Sequence, residues 1–205
     1  MDEAFSIFLE AFGSPIERRE VPPSSIQRYH GKLPDQLLAY WSEHGWCGYS
    51  DGIFWMVNPQ EYDGVVASWL EDTKLETLDT YHVIARSAFG DLYLWDEKTG
   101  ASLKITSILS RYRTHDSIYT GDKMDKGVRA YLVSKRVDTN DYGELFSPAK
   151  KKLGLLRDDE MYGFTPALKR GGPETLEHLE KFKIVEHLIF LSQITDLQPY
   201  SFTGI

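Results

Sequence analysis

Residues 33–70 read LPDQLLAYWSEHGWCGYSDGIFWMVNPQEYDGVVASWL, and their spacing decides the fold class. Pro34 stands at a helix start, where a missing N–H costs nothing, and Asp35 complements the dipole of the first turn. Leu33, Leu37, Leu38 and Trp41 fall on one helical face, and Gly45 supplies a stop. The apolar run from Ile53 to Val57, preceded by the turn dipeptide Asp51-Gly52, predicts a strand. Asn58 then reads as an N-cap, Pro59 as the first helical residue, and Glu61 as the return partner of a capping box. Tyr62, Val65, Val66, Trp69 and Leu70 give this second helix an apolar face. Helix, strand, helix is the reading. It promises a core and names no chemistry.

Outward from this stretch, Phe5, Phe8, Leu9 and Phe12 share one face of a helix over 4–12 that ends at Gly13. The Pro-, Ser- and charge-rich residues 14–32 predict a surface loop that turns Ile26 and Tyr29 inward. Runs at 81–86, 91–95 and 101–105, parted by Gly90-Asp91 and Lys98-Thr99-Gly100, predict an antiparallel meander. Residues 116–122 read as a connector. Met124, Val128, Tyr131 and Leu132 mark a helix, and Ser147 with Pro148 starts a shorter one. Met161 to Phe164 forms a short strand, Gly171-Gly172-Pro173 a turn, and Ile184, Val185, Leu188 and Leu191 the inner face of a last helix. The fold class is therefore α+β: an antiparallel sheet of four or more strands packed by amphipathic helices, with a mostly helical C-terminal half. A boundary near 115 divides the chain into units 1–115 and 116–205, packed together as one compact body.

The 205 residues suffice to bury roughly 70% of the surface that the unfolded chain exposes, so no metal or disulfide staple is required. A single cysteine, Cys47, excludes an internal disulfide. The net charge of −8 argues against direct nucleic-acid binding. Asp2 and Glu3 stand where a secretory signal would be basic, and no apolar run approaches the ~20 residues of a membrane span. A cytoplasmic protein without membrane partners is expected.

Catalytic chemistry finds little support. His44 and Cys47 are spaced for a thiolate–imidazole pair at a helix end, but no third group is marked to orient it, and a buried structural cysteine is the simpler reading. His178 and His187 recur at a spacing that puts them on opposite sides of a helix, so a shared metal is not expected. Phosphate-binding loops, a nucleophile elbow and zinc motifs are all missing from the sequence. The acids Asp158, Asp159 and Glu160 read as a surface cluster. No catalytic residue, metal ligand or cofactor is assigned.

Charge asymmetry is the one positive signal. Asp51 to Glu97 carries ten acids against Lys74 and Arg86, and Lys98 to Arg136 reverses the sign with nine bases against three acids. An acidic face of this kind would steer a basic partner, although a merely solvated surface is the plainer alternative. Glu61, Asp63, Glu71 and Asp72, on or just after the second central helix, are the candidate partner-binding residues. Trp69, spaced with Val65 and Val66, reads as core rather than as an interface anchor.

The wording of the chain adds a resemblance. LPDQLLAYWSEHGWCGYSDGIFWMVNPQEY and RSAFGDLYLWDEKTG resemble the GAD-like domain family of bacterial proteins. DDEMYGFTPALKRGGPETLEHLEKFKIVEHLIFLSQI resembles the companion C-terminal domain of type VI secretion immunity proteins. This resemblance implies an antitoxin-like immunity protein that binds and inhibits a cognate toxin, a DNase in the family members it matches best, and so protects the producing cell. It offers no catalytic residues to carry over. A general interaction module with a non-toxin partner is the alternative, and a ligand-binding protein or enzyme would need a concave pocket with convergent polar groups.

Overall fold

An antiparallel meander organises residues 2–75 and 81–200, the part of the chain that the computed structural model describes. First come α1 (Glu3–Phe12), β1 (Ile16–Arg19) and α2 (Pro23–Tyr29). The central stretch supplies α3 (Asp35–His44), β2 (Trp46–Tyr49), β3 (Phe54–Met56) and α4 (Asp63–Leu70). The meander continues through β4 (Tyr81–Ser87), β5 (Asp91–Asp96), β6 (Gly100–Thr106) and β7 (Arg111–Thr114). Then follow α5 (Met124–Val133), α6 (Phe146–Leu153), β8 (Glu160–Phe164), β9 (Leu179–Lys183), α7 (Ile184–Ile194) and β10 (Gln198–Pro199). Strands β1 to β7 lie in sequence order, each antiparallel to its neighbour, and β10 adds in parallel beyond β7. A separate hairpin joins β8 to β9. The class is α+β as expected, with twice the minimum number of strands.

Several local expectations are corrected. Residues 14–32 are not a plain loop: they hold β1, paired to β2, and α2, which begins at Pro23. The charged run Ile16-Glu17-Arg18-Arg19 hides the strand because it lies at the sheet edge, where pairing on one side suffices. Asn58 does cap its helix, its side chain accepting from the Gln60 N–H, but the first turn is 3₁₀ and Glu61 closes no capping box. Its carboxylate goes instead to Arg19. Helix α6 starts one residue before Ser147, with the Asp141 carboxylate taking the Phe146 N–H at 2.8 Å.

All six residues of β5 are buried, so helices and loops cover the sheet on both faces. Phe54 meets Phe8 and Phe12 of α1 and Tyr93 of β5 on one face. Trp55, the next residue, turns to the other face, opposite Arg86 of β4. Arg86 is fully buried, its guanidinium 4.7 Å from the Trp55 ring centroid and donating at 2.8 Å to the carbonyl of Asp158. That bond fastens the hairpin region to the sheet.

The start of the chain is tied to the helices around it. Asp2 caps α1 by accepting from the Phe5 N–H at 3.0 Å, and its carboxylate also accepts from Tyr40 of α3 and Arg129 of α5. Burial opposes the charge on Asp2, but these three donors outweigh it and hold its pKa below the usual carboxylate value. Helix α5 packs on α1 and α3, and α7 packs on α4. Among the described residues, no helix is long and apolar enough to cross a membrane.

Candidate partner-binding surface

Five of the eight described acids in the acid-rich window are engaged within the protein. Asp91 and Asp96 are buried. Asp91 binds Lys104 at 2.6 Å, and Asp96 caps the β5–β6 turn by accepting from the Lys98 and Thr99 N–H groups at 2.8 and 2.7 Å. Glu97 meets His82 at 2.8 Å, and Asp51 meets Lys150 at 2.7 Å. Glu61 is held by Arg19 in a bidentate pair. Glu76 and Asp79 lie outside the described residues.

Asp63 at the start of α4, and Glu71 and Asp72 just past its end, are exposed, as are the paired Asp51 and Glu61. Glu71 and Asp72 line an open cleft of about 530 Å³ between α4, β7 and the segment leading into β10. Asp196, which sequence reasoning passed over because it lies far along the chain, joins them there; Lys74 is the one base among the described lining residues. Asp72 has a left-handed backbone, φ +58°, which turns the chain sharply after α4. Glu61 and Asp63 do not line this cleft. The four candidates are thus split: Glu71 and Asp72 on the cleft, Asp63 exposed beside it in sequence, and Glu61 on Arg19.

Trp69 is core, only 2% exposed. The basic window is divided in the same way, because Arg129 pairs with Asp2 while Lys104 and Lys135 stack on Tyr93. Helical and strand alternation, invisible to a running count of charges, sends neighbouring charges to opposite faces.

The remaining chemical candidates resolve as structural groups. Cys47 is buried and lies 3.1 Å from the Tyr49 hydroxyl; burial pushes its thiol pKa up, against the pull of that bond. The His44 ring stacks on Phe5 at 3.9 Å, so the two side chains form no catalytic pair. His178 meets Thr175, while His187 is buried and stacked on Phe182 at 4.0 Å. Asp158, Asp159 and Glu160 pair with Arg19, Lys183 and Lys181 respectively. Among the described residues, no group of three or more His, Cys, Asp or Glu is placed to hold a metal.

The crystal structure of Atu4351 from Agrobacterium tumefaciens is similar over 98% of this chain and 93% of that one, with a TM-score of 0.85 at 21% identity, a likeness of fold. No curated protein matches the chain. The GAD-like domain family matches residues 3–109, and the C-terminal domain of the type VI secretion immunity protein Tdi1 matches residues 126–195. The sheet with its N-terminal helices, followed by the segment from α5 to α7, thus corresponds to two known modules in order: the chain belongs to the GAD-like domain family and carries the C-terminal domain of type VI secretion immunity proteins.

Proposed function

We propose that this protein binds and inhibits a cognate toxin delivered by the type VI secretion system, acting in the cytoplasm of the cell that makes the toxin and catalysing no reaction itself. The observation that carries this reading is the match of the immunity-protein C-terminal domain to residues 126–195, with a GAD-like domain before it. The toxin is a nuclease, and specifically a DNase. A nuclease binds phosphates through a basic cleft, and Asp63, Glu71 and Asp72, exposed on and after α4, supply complementary charge. Glu61 contributes least, because Arg19 already neutralises it.

Co-expression tests the reading. Cells producing the toxin domain encoded beside this protein should survive when the protein is present, and the two should co-purify. Death of the cells together with failure to co-purify refutes immunity. Rescue from a toxin that leaves DNA intact refutes the nuclease assignment alone.

A further inference from the structure

A second concavity lies between α5, the strands β5 to β7 and residues 115–119, with a volume of about 490 Å³. That size suits a small organic molecule. Its floor holds an unusual cation: the Lys135 ammonium sits 4.0 Å from the Tyr131 ring centroid and 4.5 Å from that of Tyr93. Lys104 also approaches Tyr93, at 5.1 Å, but Asp91 compensates its charge at 2.6 Å. Lys135 has no carboxylate partner among the described residues; two aromatic faces stabilise it in part. Burial, helped by the charge of Lys104, lowers its pKa to about 8, as expected of an ammonium without a counter-ion. The Tyr131 hydroxyl beside it is buried with no hydrogen-bond partner among the described residues. Leu103, Ile118 and Tyr119 give the cavity an apolar wall, and Ile118 stands 78% exposed at its rim. Asp116 is the one acid among the described lining residues, which also include Lys104, paired with Asp91, and Arg113, which lies over the Tyr200 ring.

We propose that this cavity binds a small organic anion, whose acidic head meets Lys135 and whose apolar body lies against Leu103, Ile118 and Tyr119. A half-buried cation beside an apolar wall rewards a ligand that brings both a charge and a hydrophobic surface. The proposal stands on this geometry and does not depend on the immunity reading.

Fluorescence titration with 8-anilino-1-naphthalenesulfonate, set against its uncharged analogue N-phenyl-1-naphthylamine, provides the test. The sulfonate should bind saturably at one site. Lys135→Met should weaken it about tenfold, the loss of one charge-assisted contact, while leaving the uncharged dye within about twofold. Ile118→Asp, at a position 78% exposed, should also weaken the sulfonate. Absence of saturable binding to the folded protein overturns the proposal, as does unchanged sulfonate affinity in Lys135→Met. If Lys135→Met fails to fold, Ile118→Asp decides: unchanged affinity there overturns it.

Discussion

Arg19 grips Glu61 through two parallel bonds, Nη1 to Oε1 at 2.9 Å and Nη2 to Oε2 at 3.0 Å, while its Nε reaches Asp158 at 3.1 Å. One guanidinium therefore joins the edge strand β1, the turn before α4 and the loop before β8. Both members of the Arg19–Glu61 pair are more than a third exposed, so water screens much of their attraction.

Glu61→Gln should accordingly cost about 0.5–1 kcal/mol, seen as a melting temperature lower by a few degrees at most. It should leave the rate of toxin association and its salt dependence almost unchanged. A large kinetic effect, measured by surface plasmon resonance at two ionic strengths, would return Glu61 to the partner surface.

Asp63 and Glu71 carry the opposite expectation. Asp63→Lys and Glu71→Lys together should slow association with the toxin about tenfold at low salt, with a smaller difference at high salt. Asp72 is better tested as Asp72→Asn, because its φ of +58° suits asparagine and strains most other side chains. Trp69→Ala, by contrast, should act through the core, costing about 3–5 kcal/mol of stability in chemical denaturation.

His187 should make the protein acid-sensitive. Burial against Phe182 lowers its pKa from 6.5 to about 4, so the folded state keeps it neutral while the unfolded chain protonates it near 6.5. The unfolded state binds the extra proton between these values. Stability is therefore fully present above pH 6.5 and falls as pH drops toward 4, by on the order of 2–3 kcal/mol in all. His187→Gln should flatten that part of the profile in denaturant titrations at stepped pH. Gly163→Ala probes the same contact from the other side, because a Cβ there would lie 2.7 Å from His187 Nε2.

Arg86→Lys should behave as a disruptive change. Lysine cannot reproduce the planar stack on Trp55 together with the bonds to the carbonyls of Ser87 and Asp158. A loss of about 2–4 kcal/mol is expected, of the size seen when a buried polar network is broken. Hydrogen exchange at Tyr162, whose N–H is bonded to the carbonyl of Ala88, should report loosening of the hairpin first.

The central stretch was legible because its helices carry caps and apolar spacing that local physics dictates. The meander over 81–106 was legible for the same reason, with turn residues parting apolar runs. β1 and β9 were not, because each is short and charge-rich and becomes a strand only by pairing with a partner distant in the chain. β2 was hidden by Cys47 and Gly48 within four residues, where Gly48 is needed for close approach to the Trp55 ring. Among the candidate acids, the pairing of Glu61 with Arg19 spans forty-two residues, and nothing local in the sequence announces it. The Lys135 cavity was missed for a related reason: its tyrosines come from β5 and α5, and only the fold brings them together.

The eight-stranded sheet ends in β1, four residues with three charges, and in β10, two residues of which one is Pro199. Proline lacks the N–H that a further strand would need, and a charged, bulged edge is a poor template for pairing. Among the described residues, neither border of this eight-stranded sheet invites continuation by a foreign strand. Capture of a partner at these two borders would therefore fall to side chains and loops, and the choice of partner there can drift by surface substitution while the backbone framework stays as it is.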